Sequence, residues 1–122
     1  DVSGEKISDV VIESIEEGVV EHTIIDYCDK VAIDTIKQTY PQVEEFYQKY
    51  NMDARLCEIF YNRAQYDRGD ITERDRAYIE TSILSALADR VYGQNGYYYI
   101  YVLGFDTMAK VAIEIAKNEI VE

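Results

Sequence analysis

Apolar positions along the chain recur at intervals of three and four. From the start of the pattern they run Ile7, Val10, Val11, Ser14 and Ile15, a rhythm that returns to one side at each helical turn and never settles into the alternation of a half-buried strand. The spacing predicts a first helix that Gly18 bends or ends. Val20, Ile24, Tyr27, Cys28, Val31, Ile33 and Ile36 carry the same rhythm through a second helical segment. That segment must stop at Tyr40-Pro41, because the proline ring pushes the residue before it out of the α region. Pro41 is expected to be the first residue of a short helix bearing Val43, Phe46, Tyr47 and Tyr50, since the N–H it lacks is not needed there.

Asn51 or Asp53 can cap a further helix through Leu56, Cys57, Phe60 and Ala64, which runs into the polar turn DRGD at 67–70. Thr72 followed by Asp75 has the form of a capping box with a shortened acid, and it predicts the start of the longest helix, about 73–92. Its apolar stripe reads Ile79, Ile83, Ala86, Leu87 and Val91. Gly93 is a natural stop. Beyond it, Asp106 is placed to cap a last amphipathic helix with Met108, Val111, Ala112, Ile115 and Ala116 on one side.

Between those two helices lies the stretch GQNGYYYIYVLGF, residues 93–105, with Tyr97, Tyr98, Tyr99 and Tyr101. It can be read as a strand, a ligand platform or a short helix. A strand would need a partner, and every other segment reads helical. At 100° per residue, positions 97, 98, 101 and 102 form one helical face with Tyr99 pointing away. The expectation is that Tyr97 and Tyr101 are buried and that Tyr99 is wet or at an interface. Tyr98 and Tyr99 are the candidate interface residues. The fold class expected is all-α, an irregular or orthogonal bundle of five or six helices in one domain over 1–122.

Charge narrows the function classes. With 24 acidic residues against 12 basic ones the formal charge is −12, which repels nucleic acid rather than collecting it. The acids are spread along the chain, so they serve either as a solvated surface or as a face for a basic partner. No apolar run reaches the roughly 20 residues a membrane helix needs, and no membrane insertion is expected. The opening on Asp1 without a methionine is what a mature secreted form, or a piece of a longer polypeptide, would give.

Candidate chemistry is sparse. Cys28 and Cys57 stand 29 positions apart with no CxxC and no companion histidines, so buried free thiols are expected ahead of a disulfide, and neither a zinc site nor a disulfide framework. His22, the single histidine, has Asp26 four residues on, but two ligands from one helix are too few for a metal site and a solvent-facing histidine is expected. The serines sit in helical contexts, without a GxSxG elbow or an SxxK pair. Glu44 and Glu45 suit the first turn of a helix and have no partner for acid–base work. No catalytic residue, metal site or cofactor is assigned.

The order of segments resembles the helical C-terminal extension of bacterial carboxyl-terminal processing proteases, the tail-specific S41-class serine peptidases. Tyr27-Cys28-Asp29-Lys30 is similar to a YVDKN-like helix end, and TYPQVEEF at 39–46 to a KYPTFEEF-like segment. ILSALADRVYGQNGYYYIYV at 83–102 is similar to the family's IKALIARDLWG followed by AYYQV, and DTMAKVAIEIA at 106–116 to its closing helix. Between them, NMDARLCEIFYN at 51–62 occupies the place of a capped helix, and the likeness spans nearly the whole chain. The sequence departs from the family at YIYVLGF, 99–105, where a more polar loop is usual, and at the two cysteines. The resemblance implies a non-catalytic accessory domain of a secreted or periplasmic peptidase whose Ser-Lys pair and PDZ domain would lie upstream. Implied partners are the protease core of the same polypeptide, a second copy in a homodimer, and the parent's peptide substrate. The alternative is a stand-alone acidic interaction protein, of the immunity or inhibitor type, that binds a basic partner.

Overall fold

The computed structural model describes residues 7–104 apart from 53 and 67. The predicted last helix, 106–116, and the Asp53 cap lie outside the described residues. Within them the fold is all-α: α1 (Asp9–Glu16), α2 (Val19–Tyr27), α3 (Lys30–Thr39), α4 (Val43–Lys49), α5 (Ala54–Ala64), α6 (Glu73–Tyr92) and α7 (94–104), with a 3-10 turn at Arg68–Asp70. No strand occurs among these residues.

α6 is the spine. Asp75, Ile79, Ile83 and Leu87 stand four apart along one row and are each 0% exposed. Around that row pack Val20 and Ile24 of α2, Leu56 and Phe60 of α5, Phe46 of α4 and Ile100 of α7, all buried in one core. The predicted burial of Ile83 and Leu87 therefore holds, and their partners are supplied by this chain.

The start of α6 is fixed by chemistry that the sequence shows. The Asp75 N–H donates to Thr72 Oγ1 at 3.0 Å and the Thr72 N–H donates to Asp75 Oδ2 at 3.0 Å, closing the capping box. Asp75 also reaches 67 positions back: the Ser8 N–H donates to Oδ1 at 2.8 Å and the Ser8 hydroxyl to Oδ2 at 2.6 Å. Ser8 is the N-cap residue of α1. One buried carboxylate thus serves the starts of two helices.

Three sequence expectations change. The rhythm from Val20 to Ile36 reads as one helix, yet the chain breaks at Cys28-Asp29, where Asp29 caps α3 by accepting from the Ala32 N–H at 2.9 Å. The break resets the helical phase, and Val31, counted on the apolar stripe, is 71% exposed. Pro41 does not open α4; Gln42 is the N-cap and the helix starts at Val43. The third change concerns the inward face of α7.

α3 is the least embedded element, with no buried residue of its own. Ile33 and Ile36 pack partly against the core, the Tyr92 hydroxyl donates to the Tyr40 carbonyl, and Lys37 Nζ lies 4.9 Å from the Tyr92 ring centroid. Burial, then Glu45 and Tyr40, push the Tyr92 hydroxyl up to about 12, so it stays a donor.

Gly93, at φ +84°, ends α6 and turns the chain back. α7 then returns along α6 with its backbone close. A Cβ on Gly96 would stand 2.7 Å from Tyr92 Cβ and 2.9 Å from the Ala88 carbonyl, and one on Gly104 would stand 2.4 Å from Thr81 Cγ2. Gly104→Ala is therefore expected to cost about 1–3 kcal/mol, and Thr81→Ala in the same chain to recover most of the loss, because a side-chain methyl is the obstacle. Gly96→Ala meets backbone and Cβ atoms of α6, which that change cannot move aside. Urea titrations of the single and paired variants check this, and an equal loss with and without Thr81→Ala would dismiss the contact.

Candidate interaction surface

The side of α7 that meets the core is set by Gly96, Ile100 and Gly104, spaced at four residues, with Tyr99 alongside. Tyr97 and Tyr101 do share a face, as a helix requires; their rings are stacked at 5.8 Å with an interplanar angle of 20°. That face looks outward except at Tyr97, which is half-buried at its edge. Tyr98 is 53%, Tyr101 44% and Val102 59% exposed, while Tyr99 is half-buried, packs on the core and meets Tyr47 edge-on at 6.1 Å. The expectation for Tyr99 against Tyr101 is thus reversed, and Tyr98 and Val102, on the helical face expected to turn inward with Tyr97 and Tyr101, are exposed as well. Close backbone approach at the two glycines, rather than the ring count, decides which face turns in.

Beside this face is a notch of 100 Å³ that three elements line. α2 supplies Glu21 and Ile24, α6 supplies Ala86, Asp89 and Arg90, and α7 supplies Tyr97. Burial, followed by the neighbouring Tyr101, Glu21, Tyr98 and Asp89, raises the Tyr97 hydroxyl above its ordinary range. Burial, then Tyr101 and Glu16, raise the Tyr78 hydroxyl above its ordinary range as well. The sequence reading misses the notch because Glu21 and Asp89 are 68 positions apart and meet only through the packing of α2 on α6.

The other residues singled out by sequence do not converge. His22 is exposed, and Asp26 forms an ion pair with Arg63. Ser14 and Ser85 donate their hydroxyls to the carbonyls of Val10 and Thr81, the residues four before them. Cys28 is buried and Cys57 half-buried, and neither is in a disulfide. Burial raises the Cys28 thiol and Asp29 adds to this, against the opposing pull of Arg90, so the reactive thiolate is disfavoured. Among the described residues no three His, Cys, Asp or Glu side chains come together as metal ligands, and no helix is long and apolar enough to cross a membrane.

A shallow cleft of 210 Å³ lies between Cys57, Tyr61, Ile71, Arg76 and Glu80. Arg76 already pairs with Glu73 at 3.1 Å. What the described surface offers beside the notch is exposed aromatic area with acidic edges. No family model, curated protein or solved structure matches the chain.

Proposed function

We propose that the chain is a non-catalytic helical interaction domain and that it serves as the C-terminal accessory domain of a secreted or envelope S41-type carboxyl-terminal processing peptidase. In this role it packs on the protease core of the same polypeptide, shapes access of peptide substrates, or joins two subunits. The α6–α7 hairpin carries the reading. It is the part most similar to the family's segments, and its outward face leaves Tyr98, Tyr101 and Val102 exposed for contact. Ser14, Ser85 and Cys28 add to it, since the two hydroxyls are engaged by backbone carbonyls of their own helices and burial disfavours the thiolate.

Two measurements test the proposal. The isolated chain is expected to hydrolyse no peptide at any pH; turnover that vanishes on changing one residue of this chain would defeat the non-catalytic reading. An antiserum raised against the chain is expected to detect, in cells of the source, a larger polypeptide whose peptide map includes an S41 Ser-Lys core. A native band at the size of the chain itself would replace this reading with the acidic stand-alone interaction protein, for which the charge of −12 is the supporting observation.

A further inference from the structure

The tyrosines of this face, Tyr98 and Tyr101 exposed and Tyr97 half-buried, have a particular arrangement. Tyr97 and Tyr101 form a stacked pair one helical turn apart, and Tyr98 stands edge-on to Tyr97 at 5.6 Å. Ring faces attract cations, and a guanidinium both stacks on a ring and pairs with carboxylates. The fold itself uses tyrosine faces this way, with Arg55 5.5 Å from the Tyr27 centroid as well as Lys37 over Tyr92. Next to the stacked pair, Glu21 and Asp89 line the notch together with Tyr97, against a single cation, Arg90. The local balance is negative, as is that of the whole chain.

We propose that the outward face of α7 and the notch flanked by Glu21 and Asp89 form a docking site for an arginine-bearing, basic polypeptide segment. One guanidinium lies over the Tyr97–Tyr101 pair and a neighbouring basic head enters the notch toward the two carboxylates. Tyr98 and Val102, farther round the same helix and exposed, offer apolar area to the aliphatic stem of the arginine on the pair. Arg90 competes for the notch and so limits affinity. The inference rests on α7 being the binding face, and it is independent of which polypeptide carries the chain.

The test uses the whole chain and a defined probe, the peptide acetyl-Gly-Arg-Gly-Arg-Gly-amide, followed by NMR titration at low salt. Shift changes are expected to concentrate on Tyr97, Tyr98, Tyr101, Ala86 and Asp89, and the peptide with glutamates in place of arginines is expected to cause none. Tyr97→Leu combined with Tyr101→Leu leaves the net charge unchanged and keeps bulk on a surface face. It should weaken binding about fivefold, the loss of an exposed cation–π contact. Arg90→Gln should tighten it, which a generic structural role for Arg90 would not do. Unchanged affinity in the double leucine variant, or shifts spread over acids on all helices, would overturn the proposal and leave only non-specific attraction. Concentration-dependent dimers that the leucine variant abolishes, with no peptide shifts, would overturn it in favour of a second copy of the chain. Neither outcome bears on the size of the native polypeptide, so this site and the peptidase assignment fail separately.

Discussion

Asp75→Ala is expected to destabilise the fold by about 3–4 kcal/mol, a large share of a small domain's total. Asp75 is 0% exposed and accepts from the Ser8 N–H, the Ser8 hydroxyl and the Thr72 N–H. Alanine would leave those donors to find water or go without, and it removes the α6 box besides. Burial alone would push this carboxyl up, but the Ser8 and Thr72 hydrogen bonds outweigh it and hold the group below the ordinary carboxylate range. The sign of the pH dependence follows. A depressed folded pKa adds stability that is fully present above the unfolded value near pH 4, and it drains away as pH falls from there through the folded value. Urea titrations of the wild type and of Asp75→Asn should therefore differ at pH 7 and converge in acid below both values. A gap that stays constant down to pH 2 would show that the carboxylate's charge contributes nothing.

Leu87→Ala is expected to cost about 2–5 kcal/mol, the range for emptying a closed apolar site. Leu87 sits 0% exposed in the row with Ile79 and Ile83 where α2 and α3 pack on α6, so helices on several sides would have to move to fill the void. Thermal melts give the readout: a loss of 3 kcal/mol would lower Tm by on the order of 10 °C. A loss under about 1 kcal/mol would mean that the site collapses freely or is not part of the cooperative core.

The boundaries of α6 were legible because both ends are written in local chemistry. Thr72 and Asp75 are three apart and bond each other's backbone, and Gly93 supplies the positive-φ residue that ends the helix. Nothing local announces that the same Asp75 accepts from Ser8, since that pairing exists only once the helices are packed. The Cys28-Asp29 break had a visible signal in Asp29, three residues before the amide it caps, but the apolar rhythm runs on through Tyr27 and Cys28 and masks it. α7 was harder. Tyrosine suits an interior and a surface equally well, so four tyrosines do not give a helix its phase, whereas Gly96 and Gly104 do. The notch of Glu21, Asp89 and Tyr97 needs three elements from both halves of the chain and has no counterpart in any short motif.

The shallow seating of α3 makes resistance to opening uneven across the molecule. Lifting α3 away breaks the Tyr92–Tyr40 hydrogen bond and the Lys37 contact and uncovers the half-buried Ile33 and Ile36, while the fully enclosed side chains of α2, α5 and α6 keep one another as neighbours. Such partial excursions need only a fraction of the global free energy. The extended residue at Cys28 gives them a pivot on one side, and Tyr40 before Pro41 gives one on the other. Amides within Lys30–Thr39 would then exchange with solvent through the lifting of a single helix, on a faster clock than those of the spine against which it rests.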